Sequence, residues 1–166
     1  MPVLDILQYP DPRLKQESSP VEVFDEALGL FLLNLEETMR AGPGGVGIAA
    51  PQVGHFQRIA IVDVSARKNT TNNGCMVLIN PEVTEWDGLK VGREGCMSVP
   101  DFTGNVIRAE QITLKACDAQ GKPCTYTSEG YEARAVQHEI DHLNGLLFLD
   151  RLVSRRNDLF KRKTYK

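Results

Sequence analysis

The amino-acid sequence predicts an α+β fold, in which short antiparallel strands pack around a central helix and another helix lies near the N-terminus. Two observations lead to this class. Short runs rich in β-branched residues occupy the middle of the chain, and two helical patterns lie far apart, one on each side of them. A parallel sheet would instead need strands that alternate with helices. The length of 166 residues fits one domain, so we expect a single domain over residues 1–166.

The N-terminal helix is predicted over residues 24–41. The prolines of residues 6–20 favour an extended or turn-like chain before it. Within the helix, apolar residues recur at steps of three and four, which is typical of one buried helix face. These residues are Leu28, Phe31, Leu32, Leu35 and Met39. The glycine-rich run at 42–45 then ends the helix.

Strands are predicted where β-branched residues cluster between polar turns. Residues 58–64 and 76–80 are two such runs, and the polar residues 69–74 between them indicate a surface loop. Residues 111–117 and 124–127 flank a short turn that contains a glycine, which predicts a β-hairpin. All of these strands are expected to be short.

The central helix, predicted over residues 129–144, carries an HExxH motif. Its histidines, His138 and His142, lie one turn apart on the same face and can bind one metal ion, with Glu139 between them to carry a proton. Histidines on a half-buried helix face can also be only hydrogen-bonded. The remaining histidine, His55, follows a glycine in a turn and is expected at the surface.

A catalytic metal site of this kind needs a third protein ligand and one open position. No histidine follows His142, so the third ligand must be another residue type. Cys96, between Glu94 and small neighbours, is one candidate, and a carboxylate such as Asp150 or Glu132 is another. Cys96 can also be a buried structural residue. We expect Cys75, Cys117 and Cys124 to be small buried residues in or beside strands.

The glycine-rich residues 45–52 would let a ligand approach the backbone closely, and they end in one amide side chain, Gln52. They lack the Lys-Ser or Lys-Thr pair of a phosphate-binding loop. A tight turn that packs against the helix explains the same spacing.

Composition limits the partners. The net charge of −3 gives no overall attraction to nucleic acid, and no apolar run approaches the length of about 20 residues that spans a bilayer. We therefore expect neither DNA nor a membrane as partner. The start of the chain lacks the pattern of a secretory signal, so we expect a cytoplasmic protein, or an organellar one if a transit peptide has been removed.

Three motifs together resemble those of the peptide deformylases, in the same order: residues 45–52, 94–98 and 137–142. The resemblance extends over residues 9–150. It implies an α+β fold with a motif-bearing central helix in a single catalytic domain. It also implies a hydrolase that removes the formyl group from the N-terminal formylmethionine of nascent polypeptides and releases formate.

The resemblance also implies a role for each motif residue. Glu139 would be the catalytic acid and base, and Gln52 with the backbone N–H of Met97 would bind the developing oxyanion. The implied metal ligands are Cys96, His138 and His142. Residues implied to form the substrate pocket are Val46, Gly47, Gly95 and Ala135. Some relatives have an arginine near Thr103, and a role of that side chain cannot be transferred to this chain. The resemblance also implies a last helix, which would begin shortly before this chain stops.

The implied cofactor is one divalent ion, and the implied substrates are N-formylmethionyl peptides. A Cys-His-His ligand set suits zinc, nickel, cobalt or ferrous iron, and the resemblance favours Fe²⁺ in the cell. The C-terminal segment 151–166 is basic, which predicts a weak contact with ribosomal RNA, although a solvated surface explains the same charges. Arg108 can pair with Glu94 or be exposed.

Two other functions remain open on sequence grounds. A metallopeptidase could use the same HExxH chemistry, but its downstream third ligand is absent from this sequence. A metal-binding module without catalysis would need a fourth soft ligand near Cys96 or the central helix, and we can place none there.

Overall fold

The computed structural model describes residues 3–42 and 45–162, and the elements below belong to these residues. The helices are α1 (Glu26–Ala41) and α2 (Gly130–Leu143). The strands are β1 (Gly47–Ala49), β2 (Ile59–Val62), β3 (Met76–Cys96), β4 (Val99–Cys117), β5 (Pro123–Glu129) and β6 (Leu159–Lys161). Short 3-10 helices span Pro12–Lys15, Ala50–Val53 and Phe148–Arg151. The predicted α+β class is confirmed.

All strand pairs of the sheet are antiparallel, in the order β1-β2-β3-β4-β5, with β6 paired to part of β4. The predicted hairpin is formed by β4 and β5. The expectation of short strands is wrong for β3 and β4, which have 21 and 19 residues. Most side chains of residues 84–93 are exposed, so this half of β3 has no apolar alternation that a sequence pattern could detect. Pairing with β4 holds it extended.

Helix α1 begins where the Asp25 side chain accepts a hydrogen bond from the Leu28 N–H at 3.0 Å, an N-cap that satisfies one free donor of the first turn. The helix prediction is confirmed to within two residues at its start. Its buried face packs on one part of the sheet core. This core contains Leu28, Leu32, Leu35, Met39, Ile48, Ile59, Ile61 and Ile79.

Helix α2 lies against the sheet and contributes small side chains, Ala133 and Val136, to a second buried core that also contains Leu78 and Leu114. Small residues let the helix approach the strands closely, so the polar side chains on the neighbouring helix face are buried too. None of the helices in the described residues is long and apolar enough to cross a membrane.

The end of the chain differs from the implied start of a last helix. Residues 155–157 form a turn, and β6 then pairs Phe160 with Thr103 of β4. The Arg93 guanidinium lies over the half-buried Phe160 ring, 3.9 Å from the ring centre, so β6 packs this aromatic ring against the hairpin.

The expected burial of three cysteines and the expected exposure of one histidine are corrected. Cys75 is exposed, because it follows the polar loop just before β3 begins. Cys117 and Cys124 are half-buried in strands rather than fully buried. His55 is half-buried, because its ring stacks on Phe31 with 4.1 Å between ring centres.

Candidate active site

Three metal-ligating side chains meet where α2 passes the turn between β3 and β4. His138 and His142 lie one turn apart on α2, and Cys96 is the last residue of β3. Their donor atoms lie within 4.8 Å of one another, and the Cys96 Sγ is 3.3 Å from the His142 Nε2. All three residues are buried. Two imidazoles and a thiol so close together fit one divalent cation with a further position left for water.

The two carboxylates considered as third ligands have other partners. Asp150 pairs with Lys15 at 2.6 Å, and Glu132 accepts a hydrogen bond from Ser128 at 2.7 Å. Of these candidates, Cys96 is the one that the structure places beside the histidines.

Glu94 orients His138. One Glu94 oxygen lies 2.8 Å from the His138 Nδ1, which fixes the proton on that nitrogen and leaves Nε2 for a metal. Burial raises the pKa of Glu94, but hydrogen bonds from Arg108 and His138 outweigh burial and lower it well below its usual value. Glu94 is therefore a carboxylate at neutral pH.

A cluster of charged residues surrounds this carboxylate. We call Glu94, Arg108, Arg134, Asp141 and the partly exposed Arg151 the buried charge cluster. Arg108 donates two hydrogen bonds of 2.9 Å to Glu94 and also contacts Asp141. Arg134 donates to Glu94 at 2.7 Å, and Arg151 donates twice to Asp141 at 3.0 Å. The cluster joins α2 to both strands of the long hairpin.

The pairing of Arg108 with Glu94 was one of two sequence alternatives, and it is the correct one. The contributions of Arg134 and Arg151 were missed. Arg134 lies four residues before His138 on the same helix, so its spacing was a signal for the shared face. Arg151 lies beyond the end of α2, so no helical spacing related it to the site.

Glu139 faces the site from the same helix. It is 5% exposed, and within the described residues its Oε1 atom has no hydrogen-bond partner. Burial, the largest cause, raises the pKa of Glu139 to about 7, although the charge of His138 opposes the rise. A carboxyl group with this pKa can both accept and return a proton near neutral pH.

The two histidines differ in their ionisation. Burial and then the charges of His138 and Arg108 lower the pKa of His142 well below its usual value, so its ring is neutral. Burial also opposes the charged form of His138, but the Glu139 charge and the hydrogen bond to Cys96 raise its pKa well above its usual value. A bound cation would displace this proton.

Gln52 lies on the other side of Cys96, in the 3-10 helix after β1. Its Oε1 accepts a hydrogen bond from the Ala49 N–H at 2.9 Å, which directs its NH₂ group towards Ser98 Oγ at 3.0 Å and Cys96 Sγ at 3.5 Å. Met97 occupies the two-residue turn with Ser98. An amide donor and a backbone turn therefore stand next to the metal-ligating thiol.

The N-terminal segment ties these two loops together, which the sequence analysis missed. The Leu7 N–H donates to the Gln52 carbonyl, and the Tyr9 N–H donates to the Ser98 carbonyl, each at 2.7 Å. The proline-rich segment had suggested only an irregular chain. No sequence pattern indicated these backbone partners.

A cavity of about 540 Å³ opens onto the site. This volume lies in the range of about 300–1,000 Å³ that is usual for ligand pockets. Its lining includes all four predicted pocket residues, namely Val46, Gly47, Gly95 and Ala135, together with Gln52, Cys96, Met97, His138 and Glu139. A Cβ atom at Gly47 would lie 2.6 Å from Glu139 Oε2, so glycine is what allows the carboxylate to sit against β1. Arg93, Arg134 and Arg162 line the cavity as well and were not predicted to do so.

Comparisons with known proteins match almost the whole chain. A family model described as "Polypeptide deformylase" matches residues 3–158, a range that includes all three motifs. The peptide deformylase of Desulfotalea psychrophila is 42% identical over 166 residues, which cover 100% of this chain and 97% of the relative. Solved structures of the peptide deformylases from Legionella pneumophila and Thermotoga maritima are 42% and 39% identical, each with a TM-score of 0.85. Each match covers 93% of this chain. The matched part is 89% of the Legionella pneumophila chain and 100% of the Thermotoga maritima chain.

Proposed function

Because the chain belongs to the polypeptide deformylase family, which removes the formyl group from the N-formylmethionine of nascent peptides, we propose that Cys96, His138 and His142 hold the metal ion of this reaction. The family is metal-dependent. The three donors lie within 4.8 Å of one another, and this geometry fits a single ion. A divalent ion bound here supplies Lewis-acid activation of water and of the formyl oxygen.

Glu139 moves the proton. It accepts the proton that the attacking water loses as oxygen bonds to the formyl carbon, and it returns this proton to the amine nitrogen when the carbon–nitrogen bond breaks. Formate and a free amino terminus result. The observation that carries this assignment is the buried Glu139 Oε1, which has no partner among the described residues and belongs to a side chain that lines the same cavity as Cys96 and His138.

Gln52 and Met97 stabilise the charge that develops on the formyl oxygen. The Gln52 NH₂ group is held beside Cys96 by the hydrogen bond between its own oxygen and the backbone of Ala49. A donor fixed in this way needs no reorganisation during the reaction, which makes it effective for an oxyanion. The backbone N–H of Met97, in the adjacent turn, is the second donor.

Methionine enters the cavity between β1 and α2. Val46 and Ala135 supply apolar surface there. Gly47 and Gly95 line the same cavity, and we propose that the peptide backbone runs past them. The same cavity is expected to reject peptides whose first side chain is charged, because charge would be buried without a partner.

Formate release tests this function. The metal-free protein, reloaded anaerobically, should release formate from formyl-Met-Ala-Ser and should leave Met-Ala-Ser intact. A metallopeptidase would instead cleave a peptide bond of one of the two peptides, and a non-catalytic metal module would do neither. Cleavage of Met-Ala-Ser or absence of formate with a fully loaded protein would contradict the proposal.

We propose Fe²⁺ as the ion in the cell, with Zn²⁺, Ni²⁺ or Co²⁺ able to replace it, because soft thiolate and imidazole ligands suit all four. Ferrous iron beside a thiolate is open to oxidation by air. The iron form should therefore lose activity in air while Cys96 becomes oxidised, and the nickel form should last longer. Mass spectrometry of the cysteines separates the outcomes: oxidation confined to Cys75, Cys117 or Cys124 would contradict this mechanism.

The protein is proposed to act in the cytoplasm, where nascent polypeptides are made, and to contact ribosomal RNA weakly through residues 151–166. Arg155 and Arg156 are exposed in the turn before β6 and are suited to phosphate contact. The double substitution Arg155→Gln/Arg156→Gln should weaken salt-sensitive ribosome co-sedimentation. Lys68→Gln/Lys122→Gln, with the same charge change at other exposed sites, should not. Equal binding by both variants would refute the contact.

A further inference from the structure

Three arginines line one side of the cavity, and they differ in how fully they are engaged. Arg134 is fully occupied, because it donates to Glu94 at 2.7 Å and to the backbone carbonyls of Lys90 and Val106 at 2.7 and 3.0 Å. Its guanidinium forms an ion pair with Glu94. Arg134 is thus part of the wall rather than a group available to a substrate.

Arg93 and Arg162 are exposed and form the outer part of this side. Arg93 is held by Asn105 at 3.1 Å and by the Phe160 ring beneath it. Arg162 follows β6, and its backbone N–H donates to the Asp101 carbonyl at 2.8 Å. Its guanidinium reaches over the backbone of Gly95: its Nη2 would lie 2.5 Å from a Cβ atom placed there.

Neither outer arginine forms an ion pair with any carboxylate of residues 3–42 and 45–162. The acidic residues of the cavity lining are Glu94 and Glu139. Glu94 is occupied by Arg108, Arg134 and His138, and Glu139 is buried at the reaction site. Two guanidinium groups therefore present positive charge to whatever enters past Gly95.

We propose that Arg162, with Arg93 beside it, binds an acidic side chain on one of the two residues that follow formylmethionine. The inference rests on the proposed function, in which the peptide backbone runs past Gly95. A guanidinium presents paired N–H donors that match the two oxygens of a carboxylate, and aspartate or glutamate is the side chain that supplies it. The pair of arginines gives this chain a preference for acidic residues early in the nascent sequence.

Isosteric peptides test the preference. The pairs are formyl-Met-Asp-Ser-amide with formyl-Met-Asn-Ser-amide, and formyl-Met-Ser-Asp-amide with formyl-Met-Ser-Asn-amide, so that the aspartate carries the only carboxylate. In at least one pair kcat/KM should be about threefold to fivefold higher for aspartate, the size expected of a partly exposed ion pair. The difference should appear in KM and should shrink as salt is raised.

Substitutions assign the effect. Arg162→Gln should bring the aspartate-to-asparagine ratio close to one, and Arg162→Glu should favour a lysine peptide over both. Lys161→Gln is the matched control: it removes the same charge from an exposed neighbour on β6 whose side chain points to the other face. The control should keep the full ratio. A thermal melt of each variant checks that β6 stays folded.

A ratio of one in the parent protein would overturn the inference, and so would a ratio that survives Arg162→Gln. Equal loss in Lys161→Gln would also overturn it, since a general surface field would then be the cause. Formate release from the asparagine peptides is the separate readout of the proposed function. Its absence would refute deformylation itself, whereas its presence without discrimination refutes only the role of Arg162.

Discussion

Replacing Glu94 by glutamine is the sharpest test of how the metal-ligating residues are held. Glu94 accepts four hydrogen bonds, two from Arg108, one from Arg134 and one from His138. Glutamine keeps the shape but has one acceptor oxygen and an NH₂ group. That NH₂ group would face guanidinium donors, so at least one buried donor would lose its partner.

The expected loss of stability in Glu94→Gln follows from the burial of the ion pair between Arg108 and Glu94. The side chains of Arg108 and Glu94 are 4% and 5% exposed, so water screens their interaction very little. Breaking a buried ion pair by removing one partner lowers the free energy of unfolding by about 3–5 kcal/mol. In this variant Arg108 would still have one carboxylate partner, Asp141. Loss of the carboxylate behind His138 should also weaken metal affinity by about 10- to 100-fold.

Urea unfolding of the metal-free protein at neutral pH measures the first quantity, and competition with a chelator measures the second. Arg151→Gln is the control within the same cluster. The Arg151 side chain forms an ion pair with Asp141 but is 48% exposed. Its loss should therefore lower the free energy of unfolding by less than about 1 kcal/mol and leave metal affinity unchanged. If Glu94→Gln cost no more than this control, the cluster would not be what holds the ligands.

Three further substitutions and one control separate metal binding from proton transfer. Glu139→Gln should keep the metal and lower turnover by about 100-fold or more, because proton transfer is lost while the ligands remain; metal analysis that found an empty protein would contradict this role. His142→Ala should lose metal and activity together, since two ligands hold a catalytic ion poorly, and an active, metal-loaded variant would rule out the site. Gly47→Ala places a Cβ 2.6 Å from Glu139 Oε2 and should lower turnover by about tenfold at unchanged metal content. Gly29→Ala, where α1 leaves open space, should keep full activity in the same assay.

The elements that the sequence predicted well are those with a regular apolar period. The buried face of α1 repeats every three to four residues, and α2 is marked by its motif and the glycine after it. The outer half of β3 could not be predicted in this way, because Trp86 and Leu89 are exposed and their neighbours are polar or charged. Its extended form depends on the pairing with β4, which no local pattern contains.

In the candidate site, too, the residues that a local pattern relates were predicted and those that only the fold brings together were not. Spacing alone places His138 and His142 on one face, because both lie on one helix. Cys96 ends β3 and Gln52 lies in a 3-10 helix, both far from the histidines in sequence. The residues alone left Cys96 as one of several candidate ligands, and the resemblance to a family connected both residues to the histidines. Arg162 was counted among basic surface residues, since its approach to Gly95 requires the β6 pairing that the sequence does not indicate.

The buried charge cluster has a consequence for how the protein acquires its ion. It connects α2 with β3 and β4 through ion pairs between protein groups, so the elements that carry the three donors are tied together by contacts other than those to the metal. Many small metal-binding domains are unfolded until the metal arrives, because nothing else holds their ligands together. Here folding can come first and loading second, and a folded molecule can exchange one ion for another.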